Sequence, residues 1–441
     1  MNVHLPINES EFERELRLAE EGNPSSQFKL GVSYSDGIGV KQDKKQAFNW
    51  FKRAAEQGLA AAQYNVGVFY RDEEGNYKGA IKWLRKSAQQ GISSAQSDLG
   101  AAYDIGQGVP RDFIKAVKWY RKAAEQGFAE AQFNLGLKYL FGHGVKQNYK
   151  DAIKWFRKAA EQGLAKAQYN LGSLYVDGKG VTQDYKEAAK WFSESSKQGF
   201  ANAQFNLGLM YYNAKGVLQD YKEAIKWFTK AAEQGQPGAQ ANLYGMYVRG
   251  EGVRQDYKQA LKWLNKAAEQ GLAEAQNELG VFYQQSRNGT EATKWYRKSA
   301  EQGFAVAQFN LGLMSSVRPE SWKETRRWYK KAAEQGLAQA QFNLGVMWAK
   351  GPGTRDSKEA VKWYRKAAKQ GLPDAQLNLA GMYIEGKGVS QDYVMVYMLT
   401  GINAKKGDQD AAQIRDYVAN KMSRKQIKKA QKLMREWESN Y

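Results

Sequence analysis

The chain is poorly supplied with the side chains that carry most enzyme chemistry. It has no cysteine, which removes disulfides, thiolate zinc sites and cysteine nucleophiles together. Its two histidines, His4 and His143, are too few for a multi-histidine metal centre or a proton relay. Asp43, Asp184, Asp220, Asp256 and Asp356 each stand three residues ahead of a Glu or Gln. That spacing marks helix N-termini, where the Asp accepts from backbone N–H groups and the later residue closes a capping box. Glycine-rich turns, which can cradle phosphate, occur at Gly106-Gln107-Gly108, Gly142-His143-Gly144, Gly178-Lys179-Gly180, Gly250-Glu251-Gly252 and Gly386-Lys387-Gly388. They lack the third glycine and the preceding strand of a nucleotide-binding loop, and a left-handed turn between antiparallel helices accounts for them. His143 falls in the variable slot of such a turn and is expected in solvent. No nucleophile–base set emerges. No catalytic residue, metal site or cofactor is assigned, and the chain is expected not to be an enzyme.

The elements that carry these residues repeat from end to end, although a length of 441 residues would by itself suggest about three domains. The block AAEQG, or a close variant, ends at Gly58, Gly91, Gly127, Gly163, Gly199, Gly235, Gly271, Gly303, Gly336 and Gly371. Tryptophan recurs at Trp50, Trp83, Trp119, Trp155, Trp191, Trp227, Trp263, Trp295, Trp328 and Trp363, with a constant step of 36 between Trp83 and Trp263. Aligned on a Leu-Gly pair, the chain has eleven units. In the unit 201–235, Ala203, Leu207, Met210 and Tyr211 fall on one face of a first helix. Ala224, Trp227, Phe228 and Ala231 form the apolar stripe of a second, with Lys222, Lys226 and Lys230 on its polar side. Asp220 with Glu223 starts the second helix and Gly235 ends it. Gly208 is costly inside a helix, so its recurrence implies the close approach of a backbone or a bulky ring. Such a helix pair cannot bury its apolar surface alone, and stacked pairs share one core. The fold class is therefore all-α, an alpha-alpha solenoid. The Gly-x-Gly-Val connection is missing near Arg71–Lys78, Gln284–Thr290 and Ser315–Glu324, where tighter loops are expected. Domain boundaries follow: an N-terminal capping helix in 1–22, repeats over 23–407, and C-terminal capping helices in 408–441. The closing helix, Ser423 to Glu438, gathers Ile427, Ala430, Leu433, Met434 and Trp437 on one side.

The recurring pattern A-Q-F-N-L-G-L-M-Y, then G-x-G-V, then Q-D-Y-K-E-A-I-K-W-F-x-K-A-A-E-Q-G resembles the bacterial-type Sel-1-like repeat, a relative of the tetratricopeptide repeat. The resemblance covers nearly the whole chain; Tyr244 and Ala380 depart from the Leu-Gly pair. It implies a noncatalytic scaffold or adaptor for a protein or peptide. In tetratricopeptide-like solenoids the first helix of each pair lines the concave groove, so the two residues before Leu-Gly are the implied partner-binding positions. They include Tyr64, Asn65, Phe133, Asn134, Tyr169, Asn170, Phe205, Asn206, Asn242, Phe309, Asn310, Phe342 and Asn343. An asparagine ladder could clamp the amides of an extended peptide, with neighbouring rings taking up its side chains. The competing reading is that the rings pack between adjacent repeats and each Asn bonds a neighbouring helix.

Charge opens a second class of function. With 66 Lys and Arg against 46 Asp and Glu the net charge is +20. Lys82, Lys118, Lys154, Lys190, Lys226, Lys262, Lys294, Arg327 and Lys362 precede the tryptophans, and stacking would array them as an outer basic stripe, a footprint for a polyanion or nucleic acid. A solvated face interspersed with Glu is the alternative meaning. Lys421 to Arg435 holds seven basic residues and no acid, against six Glu and two Arg in Met1–Gly22. That contrast could favour head-to-tail association, an acidic partner or an anionic membrane surface. No run approaches the ~18 apolar residues of a membrane span. The first segment has no apolar run like that of a signal peptide, so a cytoplasmic location is expected, with export open if a signal lies upstream. Neutralising a toxic effector and engaging a host protein are both compatible with the scaffold reading.

Overall fold

The computed structural model describes residues 11–316, 321–351 and 355–440. These residues contain twenty-five α-helices and no strand. Eleven first-and-second helix pairs run from α2 (Pro24–Asp36) with α3 (Lys44–Glu56) to α22 (Pro373–Glu385) with α23 (Tyr393–Lys405). Helix α1 (Glu11–Glu20) precedes them, and α24 (Gln409–Ala419) and α25 (Arg424–Asn440) follow. The chain divides into two compact units, residues 1–239 with 251–253, and residues 240–250 with 254–441.

Within the first unit, α12 (Ala201–Tyr212) and α13 (Tyr221–Glu233) show why the sequence folds this way. Asp220 Oδ1 accepts from the N–H groups of Lys222 and Glu223 at 2.9 and 3.0 Å, which satisfies two donors the helix cannot. The expected capping box does not close. The Asp220 N–H donates to the Tyr211 carbonyl at 3.1 Å, and Glu223 Oε2 accepts from the Trp227 indole at 3.1 Å instead. Asp43, Asp184, Asp256 and Asp356 cap their helices in the same manner. Gly235, at φ +87°, makes the left-handed turn that stops α13.

The expected face of α13 is buried: Ala224, Trp227, Phe228 and Ala231. On α12, Ala203, Leu207 and Met210 are buried and Tyr211 is half-buried. The repeat glycine is explained by its neighbour. A Cβ on Gly208 would lie 2.7 Å from two Phe228 ring carbons. Gly100, Gly136, Gly172, Gly280, Gly312 and Gly345 press on Tyr120, Phe156, Phe192, Tyr296, Tyr329 and Tyr364 in the same way, at 2.6–2.9 Å. The second glycine of Gly-x-Gly has a different duty. Gly108 is left-handed at φ +73°, and a Cβ there would stand 2.6 Å from the Tyr77 carbonyl oxygen of the preceding repeat. These turns are closed against backbone and leave no phosphate cradle. His143 is exposed and stacks on Phe113, ring centroids 5.0 Å apart.

A buried glutamine ladder ties repeat to repeat. The glutamine of each A-Q-F-N block is almost fully buried, as in Gln132, Gln168 and Gln204. Its Nε2 donates to a carbonyl at the end of the previous second helix: Gln132 to Ala124, Gln168 to Ala160 and Gln204 to Ser196, at 3.1–3.2 Å. Its Oε1 accepts from the glutamine of the next AAEQG block, Gln162, Gln198 and Gln234, at 2.7–2.9 Å. In the second unit Gln276, Gln308 and Gln341 repeat the arrangement with Gln302, Gln335 and Gln370. The last rung is incomplete. Gln376 donates to Ala368 at 3.2 Å, but Lys406 stands where the ladder requires a glutamine, and Gln376 Oε1 is buried without a partner.

The connections shorten where expected: four residues join α4 (Ala60–Asp72) to α5 (Tyr77–Gln89), and three join α16 (Ala273–Gln285) to α17 (Gly289–Glu301). The segment Ser315–Glu324 lies partly outside the described residues, as do residues 1–10 of the acidic N-terminal stretch, His4 among them. Helix α25 buries Ala430 and Met434, and Met434 Sδ lies where a Cβ on Gly401 of α23 would be 2.9 Å away. Among the described residues no helix is long and apolar enough to cross a membrane.

Two predictions test this packing. Gly208→Ala should gain about 1 kcal/mol of helix propensity yet lose about 1–3 kcal/mol to overpacking against Phe228, so its urea midpoint should fall. Gly381→Ala, in α22 with nothing within 4 Å of a new Cβ, should keep the gain and raise the midpoint. The same sign for both would remove the ring-on-glycine explanation. Lys406→Gln should complete the ladder and add about 0.5–1.5 kcal/mol, read as a higher denaturation midpoint; an unchanged or lower one would show that Gln376 does not lack this donor.

Candidate functional site

First helices carry the implied partner-binding residues on the flank of the buried Gln–Leu–Gly stripe. Of the thirteen, Phe133 is buried, while Tyr64, Asn65, Asn134, Tyr169, Asn170, Phe205, Asn206, Asn242, Phe309, Asn310, Phe342 and Asn343 are half-buried. The rings are not free-standing. Phe133, Tyr169, Phe205, Phe309 and Phe342 lie 5.6–5.9 Å, centroid to centroid, from Phe156, Phe192, Phe228, Tyr329 and Tyr364. Those partners are the rings seated on the repeat glycines. Phe205 also reaches the next repeat, where a Cβ on Gly238 would lie 2.9 Å from its Cζ. Each ring thus gives one face to the core.

The asparagines divide. Asn170 Nδ2 donates to the Lys166 carbonyl of its own helix at 2.8 Å. Asn310 Nδ2 donates across one repeat to Asn277 Oδ1 at 3.0 Å. Asn65 and Asn206 instead wall open pockets between consecutive first helices. One pocket of about 320 Å³ lies between α10 (Ala165–Asp177) and α12, with Phe192 at its floor, Asn206 and Leu209 on one wall, and Asp177 and Lys215 among its polar residues. A second, about 210 Å³, lies between α2 and α4 with Phe51, Asn65 and Val68 in the corresponding places. In the second unit a third, about 410 Å³, lies between α20 (Ala338–Lys350) and α22, lined by Tyr364, Asn378 and Gly381. The same register produces all three: a ring below, an asparagine at the side, and a residue three positions on. Sequence reasoning found the asparagine but missed Leu209 and Asn213, which helical spacing from Asn206 would have indicated.

In the third repeat Asp98 replaces the asparagine and forms a different arrangement. Arg71 Nη1 lies 2.7 Å from Asp98 Oδ2, with Asp72 Oδ1 at 2.7 Å from Arg71 Nε. Burial pushes the Asp98 carboxyl above its ordinary range, against the opposing pull of Arg71. The Tyr64 hydroxyl is also raised, by burial first and then by the charge of Asp98. This first-helix surface is therefore tuned locally by charge, while its apolar floors recur.

The basic stripe on the second helices is exposed and runs beside the tryptophans. Lys154, Lys190, Lys226, Lys262, Arg327 and Lys362 lie 5.5–5.8 Å from the adjacent indole rings. Lys226, Lys294 and Lys362 also pair with Glu223, Glu291 and Glu359 at 2.9–3.2 Å. Exposed pairs of this kind contribute little stability, but they lower the charge available to a polyanion along the stripe. Among the described residues no group of His, Asp and Glu could hold a metal ion.

The family described as Sel1 repeat matches residues 24–59, 60–92, 93–128, 129–164, 165–200, 201–236, 239–272, 273–304, 305–337, 338–372 and 373–395. Among solved structures, the chain is similar to c5321, described as a protective antigen present in uropathogenic Escherichia coli strains and displaying an SLR fold. The two are 37% identical over 98% of this chain and 95% of that one, with a TM-score of 0.83. A Sel1 repeat protein from Oxalobacter formigenes is 35% identical over 54% of this chain and 96% of its own, with a TM-score of 0.49. No curated protein matches the chain. Eleven matched segments, the stacked helix pairs and the extended likeness to c5321 agree: the chain belongs to the Sel1 repeat family.

Proposed function

We propose that the chain is a noncatalytic scaffold that holds a protein or peptide partner on the first-helix surface that carries these pockets. Sel1 repeat proteins generally mediate protein–protein interaction. The observation that carries the reading to particular residues is the recurrence of one pocket design, ring floor and asparagine wall, at Asn65, Asn206 and Asn378. At about 210–410 Å³ these pockets sit near or below the lower end of the usual small-ligand range. Each suits one side chain of an extended segment, with asparagine amides bonding its backbone. Host engagement and neutralisation of a toxic effector are two settings in which such a surface works. The rings and glutamines serve the fold in every repeat, so selectivity rests on the variable polar residues at the pockets: Asp177 and Lys215 in one, Lys350, Glu385 and Lys387 in another.

The test uses a displayed library of extended peptides selected on the intact chain. Asn134→Ala, Asn170→Ala and Asn206→Ala together should weaken the selected peptides by about ten- to a hundredfold, the loss of one to three hydrogen bonds. Helicity and melting should stay near those of the parent chain. Unchanged affinity in the folded triple variant would exclude these central asparagines from recognition.

A further inference from the structure

One cleft in the second unit breaks the repeat pattern in a consistent direction. It lies on α19 (Trp322–Glu334), α20 and α21 (Ser357–Lys369), with a volume of about 910 Å³. Five cations of α19 line it, Lys323, Arg326, Arg327, Lys330 and Lys331, with Lys362 and Lys366 of α21 opposite; its carboxylates are Glu334 and Glu359. Seven cations less two carboxylates leave a formal excess of five positive charges. Glu359 is already engaged by Lys362 and by the Trp363 indole, at 2.9 and 3.2 Å.

Six of the seven cations stand at positions that are basic in other second helices as well, and two departures from the repeat distinguish this cleft. At the position of Arg326, every other second helix carries an uncharged residue, such as Ile153, Ile225 or Val361. In three other repeats an arginine four residues after that position meets a phenol of the next repeat: Arg121 donates to the Tyr139 hydroxyl, Arg157 to Tyr175 and Arg365 to Tyr383, at 2.6–2.9 Å. Here the equivalent cation is Lys330, and the facing residue is Trp348, which offers no oxygen acceptor. Arg326 lies over that indole instead, 4.9 Å from its centroid. Lys330 is left with Glu334 at 3.8 Å. Arg326 adds a cation where other repeats are uncharged, and Lys330 faces Trp348 where Arg121, Arg157 and Arg365 face a tyrosine.

We propose that this cleft binds a ligand carrying several adjacent phosphates, of which an inorganic polyphosphate is the simplest. Guanidinium groups fit phosphate oxygens two at a time. The α19 cations from Lys323 to Lys331 span roughly 12 Å along the axis. An acidic peptide in extended form turns only alternate side chains to one wall, so it presents fewer charges over that length than a phosphate chain. This site is separate from the first-helix pockets and does not depend on their role.

The experiment is calorimetric titration of the full chain with sodium tripolyphosphate at two salt concentrations, beside a Glu-rich peptide and a single-stranded oligonucleotide. Saturable one-site binding of tripolyphosphate is expected, tighter than either comparison ligand. Arg326→Val with Lys330→Thr, residues found at the equivalent positions of α21 and α13, should weaken it by about tenfold or more. Lys222→Gln with Lys258→Gln removes equal charge elsewhere and should change it by less than about twofold. If the first pair perturbs folding, Lys323→Gln with Lys362→Gln, at exposed positions, gives the same readout. No saturable binding, equal weakening by both sets, or tighter binding of the peptide or oligonucleotide would overturn the proposal.

Discussion

The buried glutamine ladder sets the register on which the remaining contacts depend. A helix ends with carbonyls that have no partner inside it, and within each unit buried carbonyls near the ends of second helices, such as Ala124 and Ala160, are met by a glutamine of the next repeat. Gln168 reaches back to the Ala160 carbonyl and is itself held by Gln198, so one side chain joins the end of one repeat to both helices of the next. A buried amide left unpaired costs about 1–3 kcal/mol, so a slip in stacking would expose several such costs at once. With the first helix fixed in this way, its glycine comes to lie under the ring of the second helix. Gly172 beneath Phe192 is then a consequence of register as much as of size.

Much of this was legible in the sequence because repetition made it so. The two helices, their apolar faces, the Asp caps and the glycine stops follow from spacing, and Ala224, Trp227, Phe228 and Ala231 are buried together as the periodicity requires. The ladder was not legible, since a glutamine within a helix reads as a solvent-facing residue. The signal was its position: Gln204 stands beside Ala203 and four residues from Gly208, on the stripe that is otherwise apolar or small. The capping box failed for a related reason. The Asp220 and Asp184 amides are already satisfied by the Tyr211 and Tyr175 carbonyls of the first helix, which leaves Glu223 free to accept from the Trp227 indole.

The site was half legible. Asparagine and ring positions could be identified by analogy with related solenoids, but whether a ring faces a ligand or the core depends on the neighbouring helix. Phe133 is buried, while Asn206 opens onto a pocket whose other wall, Val176 and Asp177, belongs to the preceding repeat. No single repeat contains that pocket, so no reading of one unit at a time could find it. The lysines of the basic stripe stay exposed, and Lys226 lies near the Trp227 indole and pairs with Glu223.

This division of labour explains how such a chain can change function without changing fold. Residues of the ladder and the ring-on-glycine contact are constrained by burial, and each is coupled to the next repeat. The tyrosine that accepts from Arg157, Tyr175, is buried too, but it makes no bond in the glutamine ladder. Replacing it by Trp348 therefore leaves Gln341 bonded to Ala333 and Gly345 seated on Tyr364, while it alters what surrounds Lys330. Asp98 in place of asparagine does the same on the first-helix surface, where it draws in Arg71 without disturbing Gln96. Variation that spares the ladder changes only the local surface, and the repeat can tolerate it one position at a time.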